Sequence, residues 1–177
     1  PKLLYRISFF MLLVLGLITI LNTDISHASI RTVTGTVTKV SDGDTIQVVT
    51  PEQTKLKIRL YGIDAAEMRE SGRSNMRRMQ EGLESKIKGR QVKLDIIDID
   101  KYRRLVSIVR LDGRNINLEM IQEGHAEVFI EYLKPPYREP FLEAEREAKS
   151  AKLGIWSLTD YERPRDFRKR LKTGGGE

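Results

Sequence analysis

The chain has 177 residues, with 31 Lys and Arg against 25 Asp and Glu, a formal net charge of +6 and 40% hydrophobic residues. That length accommodates one ordinary domain, and the apolar share suffices for a packed core, which excludes wholesale disorder. With no Cys and only His27 and His125, the chain carries no disulfide framework, thiol nucleophile, cysteine zinc site or His-rich metal centre.

Residues 1–28 read as a secretory signal peptide. Lys2 and Arg6 precede Ile7 to Leu21, fifteen nearly all apolar residues, and Ser26 and Ala28 offer the small-residue pattern for a cut after Ala28. Fifteen residues fall short of the ~20 that span a bilayer, which weighs against the competing reading, an uncleaved membrane anchor. Export would make the mature chain secreted or periplasmic.

Thr32 to Val40 and Thr45 to Thr50 read as strands on either side of the turn Ser41-Asp42-Gly43-Asp44. Lys55 to Ile63 alternates, with Leu56, Ile58 and Leu60 on one face and Lys57, Arg59 and Tyr61 on the other. From Ser74 to Lys88 the period changes: Met76, Met79, Leu83 and Ile87 form a helical stripe, with Ser74 as cap and Gly89 as stop. Val92 to Ile97 and Leu105 to Leu111 are strands four and five, and Asp112-Gly113 is a tight turn. Asn117 is expected to cap a short helix that stops at Gly124. Pro140 to Lys152 is expected as a third helix, with Pro near its first position and Phe141, Ala144, Ala148 and Ala151 on its apolar side. Gly154-Ile155-Trp156 returns the only Trp towards the core. Arg163 to Glu177, basic and then Gly-rich, is expected to be a loose, flexible tail.

Five strands with helices after the third and fifth describe an α+β, mainly β fold: a small closed barrel, with the five-stranded Greek-key OB topology as leading candidate. In such a barrel Asp44, Arg59, Asp64 and Arg104 can converge on one rim. Two neighbouring carboxylates bind a hard cation such as Ca²⁺ through oxygen. Two guanidiniums bind a phosphate in bidentate fashion, and a further carboxylate, Glu67, can orient or deprotonate water. Each part also has a plainer reading. Asp42-Gly43-Asp44 alone is an ordinary Asx turn, Arg59 alone a solvated strand residue, Asp98 and Asp100 strand-end polarity, and His125 a packing or capping group.

The order of the whole set resembles the staphylococcal nuclease family across about Thr32 to Ser157. The resemblance rests on Ser41-Asp42-Gly43-Asp44-Thr45, on Ile58-Arg59-Leu60-Tyr61-Gly62-Ile63-Asp64-Ala65-Ala66-Glu67 and on Asp100-Lys101-Tyr102-Arg103-Arg104. Gly124 through Val128 and Leu153 through Ser157 resemble its later landmarks. It implies an OB-fold barrel with three helices over residues 29–162 and a Ca²⁺-dependent phosphodiesterase. By that match Asp44, Asp64 and the backbone carbonyl of Ala65 hold Ca²⁺. Glu67 acts on the attacking water, and Arg59 and Arg104 hold the scissile phosphate. Lys101 and Tyr102 contact a terminal phosphate, and Tyr132 stacks on a base. Cleavage would release the 5′-oxygen and leave 3′-phosphate and 5′-hydroxyl ends.

Two departures stand out. Ala65-Ala66 replaces the family's usual Thr-Pro or Ala-Pro, which frees φ before Glu67. Arg103 replaces the glycine of Tyr-Gly-Arg; if that glycine serves a positive φ, Arg103 is strained. The implied partner is DNA or RNA, with preference for single strands and flexible duplex, acted on by a monomer with no obligate protein partner. Arg59→Ala and Glu67→Ala are expected to abolish cleavage with the fold intact. The other readings are a noncatalytic OB module that binds nucleic acid, and an envelope-tethered protein whose tail binds an anionic surface. Charge is uneven: residues 163–177 carry net +4, residues 29–162 only +1. Recognition is therefore expected from a few placed groups, with the tail adding salt-sensitive attraction and its removal sparing catalysis.

Overall fold

The computed structural model describes residues 31–64, 73–159, 161 and 163–173. The expected signal peptide, and Ala65 and Glu67, lie outside the described residues. Strands β1 (Arg31–Val40), β2 (Thr45–Val49) and β3 (Lys55–Leu60) form an antiparallel meander. Helix α1 (Arg73–Ile87) leads to β5 (Gln91–Ile99), which pairs antiparallel with β1 and with β6 (Leu105–Leu111). Parallel pairing of β3 with β6, Arg59 opposite Val106, shuts the sheet into a five-stranded mixed barrel. The intervening two-residue strand, β4 (Ile63–Asp64), leaves this sheet and pairs with β8 (Glu127–Val128). A hairpin strand β7 (Arg114–Asn115) leads into α2 (Ile116–Gln122), followed by α3 (Arg138–Ser150) and α4 (Pro164–Thr173). This is the expected OB barrel, with α1, α2 and α3 packed on it.

The period-two residues fill the barrel: Val37, Ile46, Val48, Ile58, Leu60, Val92, Leu94 and Ile108 are all buried. Met79, Leu83 and Ile87 of α1 and Phe141, Ala144 and Ala148 of α3 bury the expected helical stripes. Register shifts between Val37 and Lys39 and between Ile96 and Asp98 supply the bends that a small closed barrel needs.

Several local expectations need correction. Strand three stops at Leu60, because Gly62 has φ +74° and turns the chain. An added Cβ there would lie 2.8 Å from Leu133 and 2.9 Å from Phe141, so only glycine fits. Tyr61 therefore turns inward rather than to solvent; its hydroxyl donates to the Tyr132 carbonyl at 2.9 Å and accepts from Lys134 N at 2.8 Å. Ser74 lies inside α1 rather than at its cap. Asn115, not Asn117, caps α2 through Leu118 N. Asn117 is fully buried: its Oδ1 accepts from Val109 N at 2.9 Å, and its Nδ2 donates to the carbonyls of Tyr61 (2.9 Å) and Ser107 (3.1 Å). Helix α3 begins at Arg138, which places Pro140 third, where its missing N–H still costs nothing, and leaves Ala151 beyond the helix and exposed. As expected, Ile155 enters the core and Trp156 packs against it, half-buried, with the Tyr161 ring centroid 5.5 Å away.

The segment expected as a loose tail contains helix α4. Pro164 at the first position, Asp166 in the first turn and a run of Arg, Lys and Leu are all helix-favouring, and the glycines that suggested looseness begin only at Gly174. Arg163, just before it, reaches back to the barrel: its Nε donates to both carboxylate oxygens of buried Glu127, at 3.0 and 3.3 Å. Burial raises the Glu127 pKa, with Arg163 pulling against it. Arg163→Ala is accordingly expected to destabilise the fold by about 1 kcal/mol, discounted because Arg163 is itself half exposed. Adding Glu127→Gln should recover most of the loss; a double variant no better than Arg163→Ala in thermal melts would contradict the pairing. Removing residues 163–177 is thus not neutral to the fold, whereas removing 164–177 keeps the ion pair.

Candidate active site

The barrel register assembles one rim. Thr45 and Arg59 are direct partners across β2 and β3, so their side chains share a face. Leu60 N donates to the Asp44 carbonyl at 2.8 Å, which pins the residue before Thr45 to the end of β3. Arg59 Nη1 donates to Asp44 Oδ2. Arg59 Nη2 lies 3.8 Å from Asp64 Oδ1 and donates to the Ile63 carbonyl at 3.3 Å. Both carboxylates are nearly buried, at 5% and 6% exposure, so the Arg59 guanidinium lies against two desolvated negative groups.

Arg104 reaches the same place from the β5–β6 turn. Its Nη1 donates to Thr45 Oγ1 at 3.2 Å, and Thr45 Oγ1 donates to Asp44 Oδ1 at 2.9 Å. A continuous chain of hydrogen bonds, Arg59–Asp44–Thr45–Arg104, therefore sets the relation of the two guanidiniums. Asp100 holds the far end: its Oδ2 accepts from Arg104 Nε at 2.7 Å, and its Oδ1 from the backbone N of Tyr102 and of Arg104, each at 2.9 Å. Burial alone would raise the Asp100 pKa, but the hydrogen bonds from Arg104 and Tyr102 outweigh it and hold the carboxyl below its usual range. Asp100 is the β5-end carboxylate that periodicity reads as strand-end polarity; its place four residues before Arg104 is the signal for the real role.

Lys101, Tyr102 and Arg103 are exposed at this turn, and the Tyr102 ring lies 5.0 Å from Lys101 Nζ and 5.5 Å from Arg104 Cζ. Tyr132 is 67% exposed and stacks obliquely on Phe129, whose ring lies 5.9 Å from Arg59 Cζ. The structure therefore brings Asp44, Arg59, Asp64 and Arg104 to one rim, with Lys101 and Tyr102 beside Arg104 and Tyr132 one ring away from Arg59. Sequence periodicity missed Thr45, a buried hydroxyl between the two halves. It also missed Glu127, which sits directly opposite Asp64 across β4 and β8.

A family model described as "Staphylococcal nuclease homologue" matches residues 57–158. This chain belongs to the staphylococcal nuclease family. Over 147 residues it is 32% identical to a protein named micrococcal nuclease from Shigella flexneri, covering 78% of this chain and 82% of that one. It is 29% identical over 136 residues to an uncharacterized endonuclease of Haemophilus influenzae, covering 77% of this chain and 73% of that one. It is also 35% identical over 116 residues to a probable staphylococcal-like nuclease, CAN3, of Oryza sativa subsp. japonica, where it spans only 29% of the relative.

Within the family pattern, Arg103 does stand at a left-handed backbone, φ +62°, where glycine is the unstrained residue. Arg103→Gly is expected to stabilise the fold by about 1 kcal/mol, less the flexibility that glycine adds to the unfolded chain. Thermal melts check this, and a lower melting temperature for the glycine variant would contradict it.

The donor chemistry fits a hard cation. Asp44 and Asp64 are paired, buried and oxygen-only, with Asp42 accepting from Asp44 N at 3.1 Å. Burial and then the Asp44 charge raise the Asp42 pKa. Among the described residues no group of three His, Asp or Glu closes on a single metal position. Ca²⁺ takes six to eight oxygens, so the set needs donors beyond Asp44 and Asp64.

Proposed function

We propose that this staphylococcal-nuclease-family protein is a Ca²⁺-dependent endonuclease that hydrolyses phosphodiester bonds in DNA and RNA, leaving 3′-phosphate and 5′-hydroxyl ends. The observation that carries the reading is the pair of guanidiniums, Arg59 and Arg104, held on one rim with two buried carboxylates between and beside them. Arg59 and Arg104 bind the non-bridging oxygens of the scissile phosphate and match the added charge as the phosphorus becomes five-coordinate. Glu67 orients the attacking water and takes its proton. The water oxygen bonds to phosphorus, the bond to the 5′-oxygen breaks, and that oxygen takes a proton from solvent water and leaves as a hydroxyl. Ca²⁺ held by Asp44, Asp64 and the Ala65 carbonyl would supply positive charge beside the phosphate. Lys101 and Tyr102 contact a neighbouring phosphate, and Tyr132 stacks on a base. Contacts directed at the backbone make the activity tolerant of sequence and favour single strands and flexible duplex. The N-terminal 28 residues direct export, so the protein acts outside the cytoplasm, secreted or periplasmic.

The test is digestion of a plasmid and of single-stranded DNA and RNA with Ca²⁺, Mg²⁺ or chelator, followed by end-group analysis. Cutting with Ca²⁺ alone, with 5′-hydroxyl products, is the expected result. Products bearing 5′-phosphate would overturn the mechanism, and binding without Ca²⁺-dependent cutting would make the chain a noncatalytic nucleic-acid module.

A further inference from the structure

Helix α4 lies beyond residues 57–158, the span that the family model matches. It is the most basic stretch of the described chain: Arg165, Arg168, Lys169, Arg170 and Lys172 stand against the single acidic residue Asp166. Arg165 and Lys169 are exposed, and their spacing of four puts them on one helical face. Basic segments of this kind are commonly loose appendages, yet here the residue before the helix is fixed. Arg163 is bound to Glu127, which is 2% exposed and pairs across β4 and β8 with Asp64 of the candidate active site. Tyr161, two residues earlier, packs against the core and onto Trp156. Its phenol pKa is raised by burial, then by the Glu127 carboxylate, with Asp64 adding to the effect. The start of α4 is thus anchored beside the rim, and its ten residues extend about 15 Å from there.

We propose that α4 is a second nucleic-acid contact, an arm whose Arg165 and Lys169 bind backbone phosphates of a strand already engaged at the Arg59–Arg104 rim. The proposal rests on the nucleic-acid substrate proposed above and extends the recognised length of that substrate. Phosphate is favoured over an anionic membrane on two grounds. The helix has only Phe167 and Leu171 as large apolar residues, too few for firm interfacial insertion. Its anchor is at the rim that would hold the substrate. The central domain supplies almost no net charge of its own, so α4 carries most of the long-range attraction for a polyanion.

The test uses the full chain and an Arg165→Glu, Lys169→Glu double variant, with Arg165→Gln, Lys169→Gln as a milder pair. Binding of a labelled single-stranded oligonucleotide is followed by anisotropy in chelator over a series of salt concentrations, and kcat and KM are measured with Ca²⁺. Loss of two phosphate contacts should make the slope of log K against log salt shallower by about 1.4. The Glu pair should also weaken low-salt binding about tenfold or more, the Gln pair less, with kcat and melting temperature unchanged in both. An unaltered slope and affinity in the folded Glu variant overturns the arm. Unaltered oligonucleotide binding combined with lost binding to phosphatidylglycerol-containing vesicles also overturns it and assigns α4 to a membrane surface. A wild-type chain that binds the oligonucleotide with the expected slope change on mutation, yet cuts nothing, supports the arm and removes the nuclease reading instead.

Discussion

Arg59→Ala is expected to lower the cleavage rate at saturating substrate by about 10²–10³-fold or more, and also to melt below the wild type in chelator. The first effect follows from the position of Arg59 at the rim, where its guanidinium reaches both Asp44 and Asp64. The second corrects the expectation that this substitution leaves the fold untouched. Arg59 is the cation that offsets two carboxylates exposed by only 5% and 6%. Its loss takes that positive charge away from two desolvated carboxylates, a cost of about 1–2 kcal/mol after allowing for the part-exposed Arg59 side chain. The two effects separate by adding Ca²⁺. A cation bound at Asp44 and Asp64 restores more stability to the variant than to the wild type, by linkage, without restoring the rate. Melting curves with and without Ca²⁺, alongside a digestion assay, check both. Near wild-type cutting by Arg59→Ala would remove Arg59 from the chemistry.

The largest loss of stability is expected from Asn117→Ala. Asn117 makes three hydrogen bonds inside the core, to Val109 N and to the carbonyls of Tyr61 and Ser107. These partners lie on β6 and on the turn after β3, so one side chain ties α2 to the seam where β3 and β6 close the barrel. Alanine leaves an amide hydrogen unpaired and removes a hydrogen bond from each of two carbonyls, and opens a small cavity. At about 1–3 kcal/mol for each group left unsatisfied, some of it recovered by relaxation, the expected loss is about 3 kcal/mol, or roughly 6–12 °C in melting temperature. No atom of Asn117 reaches the rim, so kcat of the folded variant in the cold should remain close to wild type. A melting temperature within two or three degrees of wild type would show that water replaces the amide.

The barrel and helices were legible in the sequence because burial imposes a period: Leu56, Ile58 and Leu60 two apart, Met79, Leu83 and Ile87 four apart. The rim was legible from the order of Asp44, Arg59, Asp64 and Arg104 along the strand ends and from the family motifs that carry them; Arg59 by itself keeps the strand period and reads as a solvated residue. What escaped has no period. Asn117 is a polar residue at an interior helical position, and an amide near a helix start reads as a cap until the three-dimensional partners appear. Glu127 lies between Ala126 and Val128, which resemble an ordinary strand edge. Its partner Arg163 is 36 residues away, a separation no local pattern spans. The helical character of α4 was masked by the glycines that follow it. The positive φ of Arg103 was readable only against the family's glycine, since an arginine carries no sign of its own backbone angle.

The parallel seam between β3 and β6 has a consequence for when this protein can act. Arg59 sits in the middle of the seam on β3 and Arg104 directly precedes β6, so the two, far apart in the chain, are brought together by a non-local pairing. A chain emerging from synthesis has both arginines but no shared rim. The shared rim of two guanidiniums is therefore a property of the closed barrel rather than of either half.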